Sequence, residues 1–208
     1  MNKSKHKNQK LALAAPTLPV KLDLACGQRP REGFEGVDIW PKAQHVVNLM
    51  KFPWPWKDNT VDELHSSHFI EHLPLRDLTT DDLNERANGT AEQYLGQDFL
   101  FAFFDECYRI LKPDGVLTVI CPTARSNRGF QDPTHRRFIV AETFAYLWRQ
   151  WRVDNLLDHY RVKCNFAGTV NHTQLSELNV MNPESAARRM NESWNVIFDW
   201  HAVMKAIK

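Results

Sequence analysis

The sequence predicts an α/β protein: a doubly wound sheet, mainly parallel, with an antiparallel strand at its C-terminal edge. Three observations carry this. Short β-branched segments, stopped by Gly, Pro or polar residues, recur through the first 122 residues. One long amphipathic stretch, 91–115, separates the last two of them. Two alternating segments, 160–170 and 194–207, follow in the final third. Strands interleaved with helices build parallel sheets, and a final pair of strands supplies an antiparallel edge.

Residues 20–26, VKLDLAC, alternate and then run apolar as a buried parallel strand does, and Gly27 ends them. GVDI (36–39) is a second strand, stopped by Trp40-Pro41, and HVVNL (45–49) a third. TVDELHSS (60–67) is a fourth, introduced by the turn-like KDNT. In 91–115, Tyr94, Leu95, Phe99, Phe103, Phe104, Cys107, Ile110 and Leu111 share one broad helical face, and Pro113, Asp114 and Gly115 form the stop. GVLTVICP (115–122) is the fifth strand, AETFAYLWRQW (141–151) a second helix, and 160–170 and 194–207 the closing strands.

The length suits one domain with a sizeable core, spanning 18–208, with a polar insertion on its rim at about 76–92. Apolar residues make up 43% and charged residues 25%, which excludes global disorder. Lys+Arg 26 against Asp+Glu 25 leaves a net charge of +1, so no overall basic field recruits nucleic acid or membrane. No apolar run approaches the roughly 18 residues of a membrane span. Cys26, Cys107, Cys121 and Cys164 are scattered, with no C-x-x-C pair, a usage that fits a reducing cytoplasm. Residues 1–17 are basic with a short apolar run, too short for a signal peptide, and read as a flexible tail.

In an open α/β sheet, ligands bind beyond the carboxyl ends of the strands. Asp23, Asp38, Asn48 and Ser66-Ser67-His68 lie in or at the ends of the first four strands. These types suit an adenosine with a charged tail. Small Ala25 and Gly27 admit close backbone approach, a carboxylate accepts both ribose hydroxyls, and an Asn amide hydrogen-bonds adenine.

The ordered segments KLDLACG, GVDI, NLMKFPWPWKDNTVDELHSSHFIEHL and ECYRILKPDGVLTVICPT (residues 21 to 123) resemble the class I S-adenosylmethionine-dependent methyltransferases of the type 11 kind. Within these the chain is most similar to a subgroup with a short first crossover. The resemblance implies a Rossmann-like fold and S-adenosyl-L-methionine as cofactor. It implies that Asp23, Ala25, Cys26 and Gly27 hold the methionine part. Asp38 would take the ribose, Asn48, Leu49 and Met50 would border the adenine, and Ser67 and His68 would face the sulfonium and the acceptor. Two departures stand out. Gln28-Arg29-Pro30 replaces the family's second glycine, and Asn48 stands where Asp is common. Only ten residues separate Gly27 from Asp38, against about 20 in dinucleotide folds, so the first helix must shrink to a turn or two. These departures keep open a non-catalytic cofactor- or partner-binding domain of the same fold.

A third reading comes from His68-Phe69-Ile70-Glu71-His72, which matches the inverted zinc-peptidase pattern. That chemistry needs both histidines one turn apart on a stable helix, whereas a strand precedes this segment and Pro74 follows it. The zinc-hydrolase reading through His68 and His72 therefore ranks third, and no metal ligand set is assigned.

Methyl transfer to oxygen needs alignment and a base. His68, His72 and His135 are the candidate bases. In GFQDPTHRRFIVAETF (129–144), Asp132, His135, Arg136 and Arg137 cluster after the fifth strand, and Arg136 is the candidate contact for an anionic acceptor. SSHF stands where base-methylating enzymes carry an [N/D/S]-P-P-aromatic element, and Cys121-Pro122 reverses the order used by cytosine carbon-5 enzymes. Nucleic-acid bases are thus disfavoured, and the expected acceptor is an O or N of a small molecule or glycan.

Overall fold

A computed structural model of the chain describes residues 18–75, 98–160 and 162–208. The expected tail (1–17), the rim insertion (76–92) and the beginning of the long helix lie outside the described residues.

Seven strands form one sheet: β1 (Lys21–Leu24), β2 (Glu35–Asp38), β3 (His45–Val46), β4 (Val61–Ser67), β5 (Leu111–Pro122), β6 (Phe166–Gln174) and β7 (Ile197–Ala206), in the order β3-β2-β1-β4-β5-β7-β6. The strands from β3 to β5 pair in parallel. β7 runs antiparallel to both β5 and β6. This is the mainly parallel sheet with antiparallel C-terminal strands that the segment order predicts. β1 and β4 run parallel, and the strand order reverses between them, which opens a crevice at their carboxyl ends.

No helix intervenes between β1 and β2. The crossover is a series of turns held from inside the sheet, where Asp23 Oδ2 accepts from Arg31 N at 2.7 Å and Oδ1 meets His65 Nδ1 at 2.6 Å. The Phe34 ring packs edge-on against His65 at 6.0 Å. A buried carboxylate thereby replaces the packing face that a helix would have supplied.

Helix α1 (Phe99–Ile110) begins where Asp98 caps Leu100 N at 2.8 Å. It buries Leu100, Phe103, Phe104, Cys107 and Ile110 against the sheet. Its buried Glu106 accepts from Trp54 N at 2.6 Å and from the Arg109 fork at 2.5 and 2.9 Å. Trp54 Nε1 in turn donates to Leu49 O at 3.2 Å. One helix thus fixes the segment after β3 that borders the crevice.

Four boundaries differ from the sequence reading. The third strand keeps only His45–Val46. α1 ends at Ile110 rather than 115, because Leu111 already pairs with Val61 and a bulge carries the register on to Glu63 and Val116. The 141–151 helix is a 3₁₀ run, Ala141–Leu147, and then α2 (Arg149–Asp154), broken at extended Trp148. The strand expected from 160 begins at Phe166, because the Lys163 and Cys164 amides donate to Asp105 Oδ1 instead of to a neighbouring strand. Buried Arg152 also takes the Val162 and Cys164 carbonyls. Between β6 and β7, Pro183 opens α3 (Pro183–Glu192), capped by Asn182 on Ser185 N at 2.9 Å.

Gly168 on β6 lies opposite Met204. An added Cβ would sit 2.0 Å from Val203 O and 2.7 Å from Met204 Cα, both backbone atoms of β7. Gly168→Ala is therefore expected to cost about 3 kcal/mol, read as a fall of roughly 6–12 °C in Tm. An unchanged Tm would contradict this register.

Candidate active site

β1 ends in Ala25 and Gly27, both in the left-handed region (φ 58° and 57°), and β4 ends in His68 with φ 53°. Ala25 and His68 hold this conformation despite their Cβ atoms, which is a form of strain that concentrates at functional sites. The turn after His68 is a single 3₁₀ turn, Ile70–His72.

Two cavities flank that turn. The first, about 220 Å³, is lined by Ala25, Asp38, Ile39, Val47, Asn48, Leu49, Met50 and Phe69. Asp38 is fixed by two amides, with Gly27 N donating to Oδ2 and Trp40 N to Oδ1, each at 2.8 Å. Each oxygen keeps a second lone pair, so Asp38 can still accept from a pair of hydroxyls. Asn48 Oδ1 accepts from Met50 N at 2.9 Å, which leaves its amide N–H groups free to donate. The Phe69 ring is braced by Phe103 at 5.6 Å, itself packed on Trp54 at 5.7 Å.

The second cavity, about 230 Å³ and polar, is lined by His68, Glu71, His72, Pro122, Arg128, Gln131, Asp132 and His135. His68 (side chain 46% exposed) has Nδ1 3.4 Å from Glu71 Oε1, an ion-pair separation too long for a well-formed hydrogen bond. Glu71 nonetheless pulls the His68 pKa above its ordinary value, against partial burial. Hydrogen bonds from Thr134 hold the Asp132 carboxyl below the usual range. Arg128 ion-pairs with Asp199 at the cavity wall.

The structure brings together Ala25, Asp38, Asn48, Leu49 and Met50 in the first cavity, and His68, His72 and His135 in the second. It separates others. Asp23 is 4% exposed and lines neither cavity. Its carboxylate is spent on Arg31 N and His65, so it supports the loop from behind. Cys26 Sγ faces Gly27 O at 3.4 Å and lies under Gly36, and Ser67 lies behind His68 without lining either cavity. Arg136 is a correction: its side chain turns back to Pro133 O at 3.3 Å, outside the cavity. The cause is local. The Arg136 and Arg137 amides both donate to Glu71 O, at 2.8 and 3.0 Å, which directs the Arg136 side chain outward. Arg128 is the arginine that lines the cavity instead.

Ile39, Val47, Phe69, Glu71, Arg128 and Gln131 were missed as lining residues. Ile39 had a readable signal, since an apolar residue beside a ribose-binding acid can cover an adenine. It is 66% exposed here. Arg128 and Gln131 had none, because only the path of the loop after β5 brings them inward.

The sheet order, parallel from β3 to β5 with antiparallel C-terminal strands, defines the class of fold, a Rossmann-like α/β sheet. Among solved structures, the chain is similar to a SAM-dependent methyltransferase from Archaeoglobus fulgidus, with TM-score 0.53 and 18% identity, covering 90% of this chain and 86% of that one. It is also similar to an S-adenosylmethionine-dependent methyltransferase from Mesorhizobium loti, with TM-score 0.45 and 12% identity, covering 92% and 93%. The first of these carries the fold comparison, and at such identity the likeness is one of fold. No protein-family model matches the chain, and no curated protein is significantly similar to it in sequence. No helix among the described residues is long and apolar enough to cross a membrane.

Proposed function

We propose that the protein is an S-adenosyl-L-methionine-dependent methyltransferase acting on an oxygen or nitrogen of a small-molecule or glycan acceptor. One observation carries the reading: the two cavities meet at a single turn, where Phe69 lines the first and the adjacent His68 lines the second. A cofactor in the first would bring its methyl group to the wall of the second. Asp38 would hold the ribose hydroxyls, the Asn48 amide would donate to adenine, and Ala25 and Gly27 would let the backbone approach the methionine part.

Transfer is an in-line displacement. S-adenosyl-L-methionine held by Asp38, Asn48 and the backbone at Ala25 would supply an electrophilic methyl group to the acceptor's oxygen or nitrogen. His68 Nδ1 faces Glu71, so Nε2 is the atom that would take the acceptor's proton. Arg128, although paired with Asp199 through Nη1, keeps further N–H donors that could meet an anionic acceptor in the cavity. Three histidines converging on one cavity favour turnover over a purely binding role. The hydrolase reading loses its support, because the turn is too short to mount His68 and His72 as a helical ligand pair. A cytoplasmic location is part of the same proposal, supported by the scattered cysteine usage of the sequence.

Calorimetry of the purified chain with S-adenosylmethionine and with S-adenosylhomocysteine tests the reading. Saturable one-to-one binding of both is expected. Absence of heat with either, together with no change in Tm, would sink it.

A further inference from the structure

The polar cavity holds a feature that the transfer of a methyl group does not require. Glu71, His72 and His135 each direct one potential ligand atom to within 4.8 Å of the others. Glu71 is 1% exposed, and neither of its carboxylate oxygens has a hydrogen-bond partner among the described residues. Apart from the long ion pair of Oε1 with His68 Nδ1 at 3.4 Å, no donor among the described residues reaches this buried carboxylate, an arrangement that is unfavourable unless a cation or proton completes it.

The hydrogen bonds around the two histidines set their tautomers, as the network assigns them. His135 Nδ1 lies 2.9 Å from Gly129 O, which can only accept, so Nδ1 carries the proton and Nε2 keeps its lone pair. His72 Nδ1 lies 3.0 Å from Thr134 Oγ1, and that hydroxyl donates its own proton to Asp132 Oδ1 at 2.7 Å. His72 Nδ1 is therefore also the protonated nitrogen, again leaving Nε2 free. Imidazoles that donate one N–H to a carbonyl or a hydrogen-bonded oxygen and present the other nitrogen bare are arranged as metal ligands are. The two rings meet edge-on, with centroids 4.7 Å apart.

The support beneath this group is rigid. The Arg136 and Arg137 amides both donate to Glu71 O, and the Arg137 guanidinium ties Leu73 O, Pro74 O and Asp98 at 2.6–3.0 Å. The loop carrying His135 is thereby clamped to the turn carrying Glu71 and His72.

We propose that Glu71, His72 and His135 form a binding site for a divalent transition ion of the Zn²⁺ class. Two neutral imidazoles and a carboxylate select a borderline ion over Mg²⁺, and three protein ligands leave positions open to the cavity. Tetrahedral ligand atoms lie roughly 3.3 Å apart, within reach of these side chains by small torsions. Resting on the methyltransferase reading, the open positions would bind the acceptor's oxygen. The ion would lower that oxygen's pKa so that its proton passes to His68 before the oxygen attacks the methyl carbon.

The test uses the full chain stripped with a chelator and titrated with Zn²⁺ by calorimetry, with Mg²⁺ as the comparison cation. Wild type is expected to take one equivalent of Zn²⁺ and no Mg²⁺. Glu71→Gln and His135→Ala should each weaken Zn²⁺ binding at least about 100-fold. His159→Ala, at a surface site outside the cavity, should leave it unchanged. No single-site uptake by wild type, or uptake that survives in the Glu71→Gln/His135→Ala double variant, overturns the proposal. Where a variant does not fold, crystals of wild type grown with Zn²⁺ decide, because an anomalous peak at the zinc edge must lie between the three residues. Binding of S-adenosylmethionine is measured on the same samples. Zn²⁺ uptake without cofactor binding keeps the metal site and removes its role in methyl transfer. Cofactor binding without Zn²⁺ uptake does the reverse.

Discussion

Asp23→Ala is expected to destabilise the protein by about 2–4 kcal/mol, because two donors, His65 Nδ1 and Arg31 N, lose their acceptor at about 1–3 kcal/mol each. Asp23 and His65 are both nearly inaccessible, with side chains 6% and 8% exposed. The substitution leaves His65 Nδ1 without its 2.6 Å acceptor, while Nε2 already has no partner among the described residues. It also strips Arg31 N of its acceptor, and Arg31 N is what holds the helix-free crossover against β1. Domains are stable by only about 5–15 kcal/mol, so a loss of this size is a substantial share of the total. Urea denaturation reads it as a lower midpoint at unchanged m. Asp23→Asn, which keeps the volume and one acceptor oxygen, should fall between wild type and Asp23→Ala. A cost below about 1 kcal/mol for the alanine variant would mean that the carboxylate and imidazole do not form a buried pair.

The second large effect is on binding. Asp38→Ala is expected to lower the affinity for S-adenosylmethionine by about two orders of magnitude. A hydrogen bond to a charged group contributes about 1.5–3 kcal/mol, and Asp38 would make two to the ribose. The same carboxylate also fixes Gly27 N and Trp40 N, so its removal loosens the loop that must approach the cofactor. Asp38→Asn separates the two roles. Its single oxygen can hold one of the two amides, and it lacks the charge that strengthens the ribose contact. Its affinity should recover only part of the loss, while its Tm should approach that of wild type more closely. Calorimetry with folded variants, checked by circular dichroism, reads both. Unchanged affinity in Asp38→Ala would remove the first cavity as the cofactor site.

How far the sequence could be read varied with how local the signal was. β1 and β5 were legible as apolar, β-branched runs with stops at Gly27 and Pro122, and β2 and β4 from the turn residues beside them, Trp40-Pro41 and KDNT. Asp38 and Asn48 were legible as strand-end polar residues, and both line the first cavity. The elements after residue 122 were read less well. Alternation in 160–170 looked like strand throughout, but the amides of Lys163 and Cys164 are claimed by Asp105, a residue on another element. The helix at 141–151 breaks at Trp148, beside an Arg152 buried so that its guanidinium can reach three carbonyls. Neither competing partner is visible in the local pattern.

The motif HFIEH shows the same division. Its strand before and its proline after, both sequence-adjacent, were enough to rank a peptidase helix last. They could not reveal that Glu71 is buried with only a long ion pair to His68, or that His135 would arrive beside it. By itself, the sequence determined the α/β class, the run of strands from β1 to β5 and the acid and amide at the ends of β2 and β3. Period and strand-end chemistry are written in consecutive residues. Only the tertiary structure decided that Asp23 braces the crossover and lines neither cavity, that Arg128 rather than Arg136 lines the polar cavity, and that Glu71, His72 and His135 converge. Each of those outcomes is set by a hydrogen bond between residues far apart in the chain, and the amides of Arg136 and Arg137 on the carbonyl of Glu71 decide the last two.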